Sequence, residues 1–528
     1  MTFAQNLPFC CILLPILCGV ICLSLGSKSA RRITTAAFSA ECVMSAVILI
    51  DVINARTSYT FMMGHFPAPF GNEIRVGALE ALMSLAFSVV MLLSATGGVD
   101  DIDYDIPSGK QNFFYLMTNF LMAAMLAIIY TNDLFTAYVF IEIITLSACS
   151  IIALKEGGKP LIATMSYLII SLIGSALLLL SITLLYTLTG QLLMQNLHLG
   201  IQEIARSGSY NLPMFILAGL MITGLCIKCA LFPFHSWLPN AHAHATTAAS
   251  SILSGLIIKC YLLLLSKVFV RVFGLDVVVQ LRVGNILITM GILGLIYGSV
   301  MAIRQRDIKQ MLSYSTVSQV GYICIAIGLS SEAGIAAACF HIIVHASAKS
   351  MLFTSAGGLV RASGHKKDFM SLAGSARRDP VSGAAFICGA LSMIGIPLFS
   401  GFISKLYTSV ASVGTPFEAA AILSVVVLST VLNVMYYSPV VICILAKQRP
   451  SDDQIASAGR IVSIEQSYSA GRPAPIEQSY SADKSAVYSG RAPVYNISLA
   501  AFFLINLALG VFSQPFFRVI DLGLSVFR

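Results

Sequence analysis

Nine ionisable side chains lie inside long runs of otherwise uncharged, apolar residues: Glu41, Glu80, Glu142, Lys228, Lys259, Lys349, Lys405, His341 and His345. If those runs cross a bilayer, each lysine at a helix centre opposes insertion by roughly 2.5–3.5 kcal/mol, so four lysines facing lipid would cost roughly 10–14 kcal/mol. They must therefore face a hydrated or paired interior. Any one of the nine has a simple explanation, such as a lysine reaching for the interface or a carboxylate satisfied by the next helix. Nine in one chain are hard to explain that way, and a row of titratable groups at membrane depth is the form a proton or ion path takes.

Spacing narrows the chemistry. His341, His345 and Lys349 follow i, i+4, i+8 and share one helix face, along which a proton can be passed. Lys228 lies five residues before Pro233, and Lys405 lies eight after Pro397. Proline removes a backbone donor and opens a helix, which a membrane protein tolerates where the break lines a cavity. Two broken spans, each with a lysine and five helices apart, point to two structural repeats with an ion site in each half.

Other constellations carry less. Cys226-Ile227-Lys228-Cys229 offers C-x-x-C, but no second Cys/His pair stands at metal-ligand spacing, so the cysteines read as small apolar residues. His235, His242 and His244 fit a polar gate or helix-end hydrogen bonding better than a zinc site. No Gly-rich phosphate loop, haem motif or cluster-binding cysteine run is present, and no cofactor is expected.

The elements that must hold these groups follow from composition. Of 528 residues, 57% are hydrophobic and 11% charged, against roughly 25% charged in soluble domains. The expectation is an all-α polytopic membrane protein, which excludes soluble enzymes, nucleic-acid modules and fibrous chains. Thirteen cysteines all fall in apolar segments, and the start reads as a first membrane helix rather than a cleaved signal. About fourteen spans are expected, the seventh near 212–234, the eighth near 241–265 and the twelfth near 380–411. Loops after odd-numbered spans hold twenty Lys and Arg and those after even-numbered spans six, which places the odd loops in the cytoplasm and both termini outside. Residues 448–495 are rich in Ser, Ala, Gly and Pro and repeat Ile-Glu-Gln-Ser-Tyr-Ser-Ala at 464–470 and 476–482, the composition of a disordered linker.

Leu231-Phe232-Pro233-Phe234-His235-Ser236-Trp237-Leu238-Pro239, continued by Ser251-Ile252-Leu253-Ser254-Gly255 and Lys259, resembles the signature of the antiporter-like membrane subunits. This family is shared by respiratory complex I, membrane-bound hydrogenases and multisubunit Mrp cation/proton antiporters. Asp133-Leu134-Phe135 leading to Glu142, Asp307 to Gln319, His341 to Phe353 and Gly395 to Phe402 match further motifs in order. The segment 66–71 and Ala241-His242-Ala243-His244-Ala245 are most similar to the D-type group of Mrp antiporter subunits, although Glu80 stands where that group usually has Asp.

The resemblance implies fourteen helices, inverted repeats over helices 4–8 and 9–13, and broken seventh and twelfth helices. It divides the chain into helices 1–3 (1–111), a proton-translocating core (112–435), the end of helix 13 (436–447), the linker (448–495) and a last helix with its tail (496–528). Carried over by motif, Glu142 and Lys228 pair in the first half-channel, Lys259 bridges to the centre, the His341/His345/Lys349 face continues the path and Lys405 ends it. His235, His242, His244, Glu41 and Glu80 remain candidate gate or accessory groups. The implied function is that of a proton-translocating subunit of a Na⁺/H⁺ antiporter in the inner (cytoplasmic) membrane of a bacterium. Its expected partners are other membrane subunits, H⁺ and Na⁺. The alternative is a proton-pumping subunit of NADH:quinone oxidoreductase or of a membrane-bound hydrogenase.

Overall fold

A computed structural model describes residues 3–63, 66, 71–208, 211–413, 416–446 and 493–525. Most of the 448–495 linker and residues 67–70 of the 66–71 motif lie outside them; residues 493–495 begin the last helix. Among the described residues twelve helices are long and apolar enough to cross a membrane, and two shorter apolar helices, Leu212–Lys228 and Pro380–Ile394, complete the expected fourteen. The short ones are the first halves of the two proline-interrupted spans.

We number the spanning helices α1 (Phe3–Leu23), α2 (Ser27–Ala55), α3 (Ala78–Gly97), α4 (Gln111–Tyr130), α5 (Leu134–Ala153) and α6 (Gly158–Thr189). Helix α7 is split into α7a (Asn211–Lys228) and α7b (Trp237–His244). There follow α8 (Thr247–Phe273), α9 (Val283–Arg304), α10 (Ile308–Gly328) and α11 (Glu332–Ala362). Helix α12 is split into α12a (Pro380–Ile394) and α12b (Ser400–Ala411), and α13 (Pro416–Leu445) and α14 (Pro493–Val511) close the bundle. One antiparallel hairpin, β1 (Tyr59–Met62) with β2 (Glu73–Val76), joins α2 to α3.

Two segments of the chain are built alike. Asp133 caps α5 by accepting from the Thr136 amide at 2.6 Å, and Asp307 caps α10 by accepting from the Lys309 and Gln310 amides at 2.7 and 3.1 Å. Each capping aspartate also forms an isolated antiparallel bridge to the loop beyond the next helix, Asp133 to Leu193 and Asp307 to Asp368. In each case a very long helix follows, of 32 and 31 residues, and then a broken one. From the start of α5 to the start of α10 the chain crosses five times, an odd number, so the two repeats enter the membrane from opposite sides.

Loops after odd-numbered helices meet at one end. The acidic helix Val99–Asp105, after α3, pairs Asp103 with Arg31, Asp105 with Lys155 and Asp100 with Arg361. Tyr104 stacks on His365 with ring centroids 3.8 Å apart.

The eighth span differs from its expected 241–265. Residues 237–244 belong to the break in α7, Thr246 caps the new helix, and α8 runs on to Gly274, whose φ of +79° only glycine takes without strain. Lys267 and Arg271 therefore lie inside the span and not in a loop, which reduces the outer loops' six basic residues to four. Protein groups hold them there. Lys267 Nζ donates to the carbonyls of Ile128, Ile129 and Thr131 at 3.0, 3.0 and 2.8 Å, and Arg271 pairs with Glu80.

Candidate ion-translocating axis

Helix α7a ends at Lys228, and the chain leaves the helix through Ala230 at φ +57° before Pro233. A helix ending inside the membrane leaves carbonyls without intrahelical donors. Trp237 Nε1, stacked on Tyr167 at 4.3 Å, donates to one of them, Ile227 O, at 3.3 Å. The Lys228 ammonium is buried against α5 and α6. It donates to Glu142 at 3.3 Å and to the hydroxyls of Thr145 and Ser171 at 2.9 Å each. Ser175 donates to the same Glu142 oxygen. Glu142 keeps 25% of its side-chain surface exposed while Lys228 keeps none, so the pair has one open edge, on α5.

The second break repeats the device with different partners. Gly395, at φ +89°, ends α12a, and Lys405 on α12b turns back to donate to the freed Ile394 carbonyl at 2.8 Å and to Thr430 at 2.9 Å. Asn433 takes the adjacent Met393 carbonyl at 2.7 Å. No carboxylate pairs with Lys405 among the described residues. The two half-sites therefore differ in charge, one an ion pair and the other a lone cation held by dipoles.

Between the breaks, α11 carries His341, His345 and Lys349 on one face. The two imidazoles stack with centroids 5.7 Å apart, and His341 Nδ1 lies 2.5 Å from the Ser404 hydroxyl, one residue before Lys405. Lys349 donates to Leu312 O, Ser315 and Tyr437 at 3.1, 2.8 and 3.3 Å. Lys259 donates to Ser254 O within a π-helical turn, Leu253–Ile257, where the i→i−4 ladder is interrupted. Gly255 makes this possible, since a Cβ there would overlap Ser350 Oγ of α11. Lys405 is close enough to His341, and Lys259 and Lys349 to His345, for their charges to interact.

The structure thus brings Lys259, His345, Lys349, His341 and Lys405 into one buried row, and it separates Lys259 from Lys228, with which it makes no direct contact. Of the accessory candidates, His242 is fully buried beside Phe353, near Lys259 and Lys349, with no hydrogen-bond partner on either ring nitrogen among the described residues. His235 packs in the first break against Phe232 and Tyr297. His244 is partly exposed and bonds Asn240 O at 3.0 Å, away from the row. Glu80 is paired with Arg271, and Glu41 is buried on α2 beside Cys11 of α1. Among the described residues no three His, Cys, Asp or Glu side chains group as metal ligands.

Sequence reasoning misses the hydroxyls around Lys228 and the Lys267 and Arg271 pair. Serines and threonines in apolar helices give no signal of their own. Lys267 and Arg271 are four apart in a run with no breaker before Gly274, and that uninterrupted run is the clue to their place.

Comparison with known proteins gives three findings. Residues 131–433 match the family described as NADH:quinone oxidoreductase/Mrp antiporter, TM. NADH-quinone oxidoreductase subunit N of Desulforudis audaxviator is 31% identical over 446 residues, 83% of this chain and 86% of that one. The D-type subunit of the Na(+)/H(+) antiporter of Alkalihalophilus pseudofirmus is 26% identical over 433 residues, 82% and 86% of the two chains. Two solved structures share the fold, each with a TM-score of 0.82 over 99% of this chain and 97% of theirs. They are from the Mrp complex of Dietzia sp. DQ12-45-1b, 21% identical, and an archaeal membrane-bound sulfane sulfur reductase, 22% identical.

Proposed function

The chain belongs to the NADH:quinone oxidoreductase/Mrp antiporter membrane-subunit family, and on that basis we propose that it is the proton-translocating subunit of a multisubunit monovalent cation (Na⁺)/H⁺ antiporter in the inner membrane of a bacterium. The observation that carries this reading is the Glu142–Lys228 pair at the first break, followed by a buried row ending on Lys405 at the second. A proton on Lys228 is held by the carboxylate. When that pair loosens, the ammonium becomes an uncompensated buried charge and gives up its proton toward the Lys259 and histidine group. The lone Lys405 then releases in turn, since a charge arriving beside it at His341 repels its own. The driving energy is an existing ion gradient.

The open edge of Glu142 supports an assembly. A carboxylate exposed at membrane depth cannot face lipid at low cost, so a partner subunit covers α5 there. A second reading rests on the relative named NADH-quinone oxidoreductase subunit N: the same row would then be driven by a redox partner.

Purification of the tagged chain from its own membranes, with the companions identified by mass spectrometry, separates the two. Companions that are cation/proton antiporter subunits, with Na⁺-induced dissipation of a pH gradient in vesicles, fit the first reading. Quinone- or nickel-site subunits and no Na⁺ response would overturn it.

A further inference from the structure

Of the carboxylates in the spanning helices, Glu41, Glu80 and Glu142 are the three candidate path or accessory groups, and two of them have a cationic partner: Glu80 has Arg271 and Glu142 has Lys228. Glu41 has none. It lies midway along α2, is 0% exposed, and among the described residues neither of its oxygens has a hydrogen-bond partner in good geometry, the Cys11 thiol coming near it. Its titratable neighbours are Cys11 and Cys18 on α1, Cys42 on α2 itself and Tyr130 on α4; among the described residues no Lys, Arg or His acts on it. An isolated carboxylate anion is not stable in such a place, so it is neutralised either by a proton or by a cation brought from outside.

The surroundings favour a cation as the proton's competitor. Ser45 of α2 lies one turn from Glu41 and is bonded to Ser84 of α3 at 2.8 Å and to Ser88 at 3.4 Å. Tyr130 points its buried hydroxyl at Ser84 without reaching hydrogen-bonding geometry, and that hydroxyl has no other partner. The Cys11 thiol of α1 comes near both Glu41 and Ser45, so three packed helices gather hydroxyl oxygens beside the carboxylate, the oxygen donors that hard cations take. Ser84 is in the second turn of α3 and Tyr130 is the last residue of α4, so the cluster lies toward the end of the bundle that carries β1 and β2.

We propose that the Glu41 cluster, with Ser45, Ser84, Ser88 and Tyr130, binds a small monovalent cation of the Na⁺ class in exchange for the carboxyl proton. The site is separate from the Lys228-to-Lys405 row and does not require that row to translocate protons.

N,N′-Dicyclohexylcarbodiimide tests this in membranes holding the complete assembly. The reagent adds the protonated carboxyl across its carbodiimide bond and rearranges to a stable N-acylurea, so peptide mass spectrometry identifies the residue. Glu41 is expected to be labelled in Na⁺-free buffer and protected at least fivefold by saturating Na⁺, with no protection by choline at equal ionic strength. Ser84→Ala should raise the Na⁺ concentration for half-protection severalfold. Glu142→Gln, which tests the proposed function, should leave labelling and protection unchanged, so the two ideas fail separately. Absence of Glu41 labelling, labelling indifferent to Na⁺, or an unchanged half-protection concentration in Ser84→Ala would overturn the proposal.

Discussion

Replacing Glu142 by Gln keeps the side chain's shape and removes its charge. At the 3.3 Å separation of Lys228 Nζ and the Glu142 oxygen, and an effective dielectric constant of about 20, the lost attraction is about 5 kcal/mol. Even a third of that is a factor of more than ten in the occupancy of the charged lysine. The fold should survive, because Lys228 keeps Thr145 and Ser171 at 2.9 Å and a neutral amide still accepts a hydrogen bond. Coupled transport should fall at least tenfold while the complex assembles normally. Lys228→Ala should be equally disabling, and the double change no worse, since two groups acting as one unit are strongly non-additive. Lys228→Arg should not rescue, because a guanidinium does not release its proton near neutral pH. The assay is cation-induced dissipation of a pH gradient in vesicles, with assembly followed by native electrophoresis. Normal transport by Glu142→Gln would refute the pair as the proton site.

Gly255→Ala places a methyl group where Ser350 Oγ now sits and should cost about 1–3 kcal/mol of stability; thermal unfolding in detergent checks this, and Ser350→Gly in the same chain should recover most of it. The end of the bundle bearing Asp100, Asp103 and His365 should be cytoplasmic, so His365→Cys should react with a membrane-impermeant maleimide only in inside-out vesicles; reaction from the outside would reverse the topology. Deleting 464–482, within the polar linker, should leave assembly and transport within about twofold of the intact chain; loss of assembly would make the segment a docking site.

The membrane class, the number of spans, the two breaks and the candidate ionisable residues within the spans are legible in the residue order alone, because each is a local property. Apolar run length sets a span, proline breaks a helix, an aspartate three residues before an amide caps one, and i, i+4, i+8 spacing puts His341, His345 and Lys349 on one face whatever surrounds them. Hydropathy misreads the eighth span for the same reason: it charges Lys267 and Arg271 with their full cost and cannot see the α4 carbonyls and the Glu80 carboxylate that remove it. Pairing is a different kind of property and comes from how the helices pack. Glu142 and Lys228 are 86 residues apart, Glu80 and Arg271 are 191 apart, and Glu41 resembles both of those glutamates in its sequence surroundings yet ends without a partner. The energy of a charge in a membrane depends on what stands within a few ångströms of it, and helix packing, not spacing along the chain, sets that distance.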